Sequence, residues 1–137
     1  MKLGFHYHAP AKYNNGMFTT SYLGVFLDSI AVRCEKLICF LHEPLESEEI
    51  DLDYKIKSKN IELVSIGPHS PLPIRLLNAK KYLNCVKSKI NSVDLMLIRV
   101  PTPMLFSLFS LTHSKIVLYI VGSYWQGAKS LHVNSIK

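Results

Sequence analysis

The chain has 137 residues, 48% of them hydrophobic, which is enough for one packed α/β domain and too little for two. Sixteen basic against ten acidic residues leave a net charge of +6, which favours anionic partners such as nucleotide phosphates, lipid headgroups or nucleic acid without choosing among them. Cys34, Cys39 and Cys85 are odd in number and lack zinc-knuckle spacing, so they read as reduced thiols of a cytoplasmic protein, and the N-terminal MKLGFHYH has no apolar stretch of leader length.

The first strand is expected over Lys2–His8, with Leu3, Phe5 and Tyr7 on one side, and Ala9–Gly16 reads as the loop that leaves it. Apolar residues at three- and four-residue spacing, Tyr22, Phe26 and Ile30 with Leu23 and Leu27, predict a helix over Phe18–Val32, and Gly24 inside it suggests a close backbone approach. A second strand, Leu37–His42, gives way to the acidic stretch Glu46–Asp53, read as a surface connection. A third, Ile61–Gly67, ends in a proline-rich loop before a helix from Ile74 to Ile90, with Leu76, Ala79, Leu83, Val86 and Ile90 as its buried stripe.

The opposite face of that helix carries Lys80, Lys81 and Lys87, with Lys89 nearby and Arg75 at its start. It is either a solvated face or a patch that rests on anionic lipid. A fourth strand, Asp94–Arg99, runs through Pro101-Thr102-Pro103 into a short helix from Met104 to Thr112, and a fifth, Lys115–Gly122, ends at Ser123-Tyr124-Trp125. Prolines and charges break the apolar run Leu95–Gly122 short of a membrane span. Strands alternating with helices predict a Rossmann-like parallel sheet with helices on both faces and the function in the loops at the strand C-terminal ends.

Those loops hold few chemical signatures. Gly16, ahead of the first helix, is a candidate phosphate contact, but neither the three-glycine dinucleotide fingerprint nor a P-loop occurs. His6 and His8 leave the first strand on one face without acidic or cysteine partners at metal-ligand spacing, so no metal is assigned. His8 and His42, at strand ends, are candidates to touch substrate, whereas His69 falls in no usable pattern. Arg99, at the end of the fourth strand, needs an anionic or carbonyl partner, which is either a ligand or a structural ion pair. The exit Gly122–Gly127, with its hydroxyls, amide and tryptophan, has the composition of a binding loop. No hydrolase elbow and no basic–aromatic interleaving is present, so neither a hydrolase nor a nucleic-acid partner is expected.

Taken in order, the first strand, the Asn15-Gly16 loop, YLGVFLDSIA, LICFLHEP, DLMLIRVPTP and IVLYIVGSYW resemble the N-terminal half of family-four-like glycosyltransferases over nearly the whole chain. The resemblance implies one half of a GT-B architecture, a single domain over residues 1–137 that is truncated before the donor-binding domain and inactive alone. It further implies an acceptor-side role in a retaining transferase of polysaccharide biosynthesis, which moves a sugar from a nucleotide-sugar donor to a glycan or lipid-linked acceptor at the cytoplasmic membrane face. No cofactor beyond the donor substrate is implied.

On that footing Asn15 and Gly16 approach the donor phosphate, and His8, Arg99, Thr102, Ser123, Tyr124 and Trp125 border the acceptor. No catalytic residue is assigned. Two departures weaken the carry-over. Asn15-Gly16 stands where many relatives have paired glycines, and Val121-Gly122 where many have a histidine. The alternative is a non-catalytic flavodoxin-like or receiver-like binding module, although His6-Tyr7-His8 does not supply the acidic cluster of a receiver.

Overall fold

The computed structural model describes residues 1–121. The sheet is built from β1 (Lys2–Pro10), β4 (Lys36–Glu43), β6 (Ile61–Pro68), β7 (Leu95–Val100) and β8 (Lys115–Ile120), in the order β6-β4-β1-β7-β8 with every pair parallel. This is the expected Rossmann-like arrangement. β1 lies at the centre, with Phe5 level with Cys39 on one side and with Leu97 on the other. A strand enclosed in this way must be apolar on both faces, which is why Leu37 to Leu41 is an unbroken apolar run and fully buried.

Alternate residues of the strands feed two cores. On one face Leu3, Phe5, Leu37, Cys39 and Leu41 pack with Leu23, Leu27 and Ala31 of α1 (Ser21–Ala31). On the other, Ile38, Phe40, Met96 and Ile98 pack with Ala79 and Leu83 of α2 (Leu72–Cys85), Ile90 of α3 (Lys87–Ile90) and Leu108 and Leu111 of α4 (Leu105–Leu111). No helix among the described residues is long and apolar enough to cross a membrane.

Three expectations are corrected. The stretch after β1 is not a plain loop. β1 runs on to Pro10, and β2 (Lys12–Tyr13) and β3 (Met17–Thr19) form a hairpin that pairs with β5 (Tyr54–Lys55) in a small antiparallel sheet. The helix therefore starts at Ser21 rather than Phe18. The second helix begins at Leu72, with Pro73 in the first turn where its missing N–H matters least, and it breaks at Val86, so the expected single helix to Ile90 is two. Of its expected buried stripe, Ala79, Leu83 and Ile90 are buried, while Leu76 is 54% exposed.

The small sheet is clamped to α1. A Cβ on Gly24 would lie 2.1 Å from the Tyr54 ring, so only glycine allows this approach. The Asp28 carboxylate accepts hydrogen bonds from the Tyr54 hydroxyl (2.7 Å) and the Ser58 amide (2.9 Å). Burial opposes its ionisation, but these bonds and those from Lys57 outweigh burial and hold Asp28 below the usual carboxylate range.

Candidate functional site

On the α2 face, the C-terminal ends of β1, β4 and β6 and the loops after β6 and β7 bring together His8, His42, His69, Arg75 and Thr102, with His6 beneath them. β1 alternates, so Tyr7 turns to the α1 side while His6 and His8 turn to this one. His6 is fully buried. Its Nδ1–H donates to the Phe40 carbonyl (2.9 Å), which leaves Nε2 to accept the Thr102 hydroxyl proton (2.6 Å). Burial above all, helped by nearby His42, His8 and Arg75, lowers the His6 pKa to about 3, so the ring is a neutral support that fixes Thr102 at the mouth of the site.

His42 follows the same logic but is incomplete. Its Nδ1–H donates to the Gly67 carbonyl (3.3 Å), and Nε2, buried, has no hydrogen-bond partner among the described residues. Burial first, then the Arg75 guanidinium, lowers its pKa to about 4, so at neutral pH Nε2 is a bare acceptor. The His69 ring, 5.6 Å from that of His42 between centroids, donates through Nδ1–H to Glu48 (2.7 Å), and its Nε2 is likewise buried and unpaired. His8 is half-buried and its pKa is lowered, chiefly by burial and then by Arg75.

Arg75, one turn into α2, completes the cluster. Its Nε and Nη1 are buried without a partner among the described residues, and it makes no ion pair with Glu48. Beside it His8, Leu72, Leu76, Pro101, Thr102 and Pro103 line an open, mainly apolar cleft of about 440 Å³. The site thus offers the neutral His42 acceptor, the unpaired Nε2 of His69, one guanidinium donor and an apolar wall, which suits a ligand with hydroxyls, an anionic group and an apolar part.

The expected site residues separate. His8 and Thr102 share the cleft. Arg99 lies on the α1 face, 2% exposed and without a carboxylate partner among the described residues. Its guanidinium carbon stands 4.5 Å from the Tyr7 ring centroid, 4.8 Å from Tyr22, 5.7 Å from Phe26 and 5.9 Å from Tyr119, and Nη2 donates to the Tyr22 hydroxyl (2.7 Å). Aromatic faces replace the expected anion.

Asn15 and Gly16, with φ of 52° and 136°, form the turn of the β2–β3 hairpin and do not precede a helix. Gly16 lines a separate cavity of about 530 Å³ with Ser58, Ile61 and Glu62, at the start of edge strand β6 and away from the rim. Ser123, Tyr124 and Trp125 lie outside the described residues. His69, Glu48 and Arg75 were not expected here. His69 sits in a loop, and its partner Glu48 lies 21 residues away in the acidic stretch taken for a surface connection.

Among the described residues no group of three or more metal-ligating side chains is placed to hold an ion. Compared with protein-family models, curated proteins and solved structures, the chain matches none.

Proposed function

We propose that this chain is the acceptor-binding domain of a retaining glycosyltransferase and that the cleft beside His8 and Thr102 receives the glycan or lipid-linked acceptor. One observation carries the reading. The unpaired Nε2 atoms of His42 and His69 lie at the C-terminal rim of a parallel sheet, and sugar hydroxyls, which both donate and accept, are groups that can satisfy them. The order of segments that resembles the acceptor half of these enzymes supports it. The donor phosphate contact at Asn15-Gly16 gains no support, because that turn stands apart from the rim; donor groups would come from a second domain, and the chain alone would be inactive.

A peripheral contact with the inner face of an anionic membrane belongs to the same proposal. The first turns of α2 expose Leu72 (52%), Leu76 (54%) and Leu77 (86%), and Lys80, Lys81 and Lys87 follow on exposed positions with no ion pair among the described residues. For the receiver-like alternative, the end of β1 carries His8, Ala9 and Pro10 rather than acids.

The test follows the histidine ring resonances of the whole chain during titration with neutral oligosaccharides, nucleotide sugars and, with magnesium, acetyl phosphate. The expected result is that an oligosaccharide shifts His8, His42 and His69 while exposed His113 stays still. Silence of all three with every glycan, or magnesium-dependent phosphorylation, overturns the proposal.

A further inference from the structure

Arg75 poses a problem that hydroxyls alone do not solve. A guanidinium with two buried and unpaired N–H groups is costly unless an acceptor arrives, and a planar anion-binding fork answers best to an oxyanion. Glu48, the one carboxylate whose charge is felt at Arg75 among the described residues, is engaged by His69. Around the guanidinium stand His8 of β1, His42 of β4 and His69 after β6, with His6 below. His42 is fully buried, its Nε2 has no partner among the described residues, and its ring lies close enough to Arg75 to feel the guanidinium charge. The cluster therefore sets a strong donor beside the bare His42 acceptor, a combination that a fully deprotonated anion cannot satisfy.

We propose that Arg75, His42 and His69 bind the phosphate group of a phosphorylated ligand in its singly protonated form, the phosphoryl oxygens accepting from Arg75 and the P–OH donating to an imidazole Nε2. A phosphate monoester has its second ionisation near pH 6, so the singly protonated form is accessible at neutral pH, whereas sulfate has no proton to give. The chemical difference between these two anions is what the site reads. The rest of the ligand lies along Leu72, Leu76, Pro101 and Pro103, beside His8. This deepens the acceptor reading, on which it rests for what the phosphate is attached to, and it makes the acceptor a phosphorylated one.

Calorimetry on the whole chain with inorganic phosphate, hexyl phosphate and sulfate at pH 6, 7 and 8 tests it. Both phosphates should bind, with affinity falling toward about tenfold per pH unit above neutrality because one proton is bound with the ligand. Sulfate should bind at least about tenfold more weakly, one lost hydrogen bond's worth of discrimination. Hexyl phosphate tighter than inorganic phosphate assigns a lipid-like source and the reverse order a small soluble one; either order keeps the site. Arg75→Gln, at a partly exposed position, should lose phosphate about tenfold or more with an unchanged melting curve, and His42→Gln should abolish the preference for phosphate over sulfate.

Phosphate heat absent at millimolar concentration, sulfate equal to phosphate, or Arg75→Gln without effect overturns the inference. The acceptor reading fails separately. Histidine shifts with neutral oligosaccharides but no phosphate binding leave that reading standing and remove this one, and phosphate binding without any response to glycans does the opposite.

Discussion

Arg75 and Arg99 stand near the same rim of one sheet, on opposite faces, and their surroundings divide structure from binding. Arg99 has its Nε and Nη1 buried and unpaired among the described residues, as Arg75 has, but it is enclosed by Tyr7, Tyr22, Phe26 and Tyr119, so its charge is met by ring faces and one phenol oxygen. Arg75 stands among imidazoles, with its Nε and Nη1 unpaired among the described residues, beside an open cleft. An arginine at a strand end is thus a poor pointer to ligand by itself. What decides is whether the protein already supplies its counterpart.

Acid should produce the largest effect and should strike only one of the two faces. His6 and His42 are held neutral in the fold, with pKa lowered to about 3 and about 4, while the unfolded chain protonates them near 6.5. Their contribution to stability is complete above pH 6.5 and is lost as pH falls below it, by about 1.4 kcal/mol per pH unit for each ring. Together that approaches about 4 kcal/mol by pH 5. Denaturant midpoints at pH 7 and 5 measure the loss, and amide exchange should show α2 opening before α1. Equal opening of both faces would break the comparison.

Next, Arg99→Ala should cost about 3 kcal/mol, because it opens a void between four rings. Arg75→Ala should change stability by less than about 1 kcal/mol while removing phosphate binding. Urea midpoints of the two variants compare them directly, and similar losses would mean that Arg75 is structural after all.

On the outer side of α2, Lys80→Gln with Lys81→Gln should weaken retention on anionic vesicles by about 2 kcal/mol, near 1 for each charge, and leave neutral vesicles unaffected. Sedimentation with the two vesicle types reads this, and retention that ignores the lysines would remove the membrane contact. Smallest is Tyr22→Phe, which keeps the ring over Arg99 and removes the hydrogen bond; about 1 kcal/mol is expected. A loss as large as that of Arg99→Ala would put the weight of the cage on one hydroxyl instead of on the rings.

The central sheet was legible because buried parallel strands are short unbroken apolar runs between polar turns, and α1 because Leu23 and Leu27 keep helical spacing around Gly24. The hairpin carries a weaker signal. Asn15-Gly16 is a favoured hairpin turn, but its strands are only two and three residues long, too short for alternation to register. The site was half legible. His8 and Thr102 flank strand ends, where a parallel sheet gathers ligands. His69, Glu48 and Arg75 come from three separate segments, and only folding shows that they meet; charge pattern alone had assigned Arg75 to a basic helix face and Glu48 to solvent.

The placement of β1 has a consequence for biogenesis. β1 is synthesised before both of its neighbours in the sheet, which are made about thirty and ninety positions later, as in the pairs Lys2 with Lys36 and Leu3 with Leu95. One of its edges stays open until β7 has been synthesised, and the bond from Thr102 to His6 closes across 96 residues. The cleft is consequently completed only after β1 has met β7, the longest-range strand pairing among the described residues.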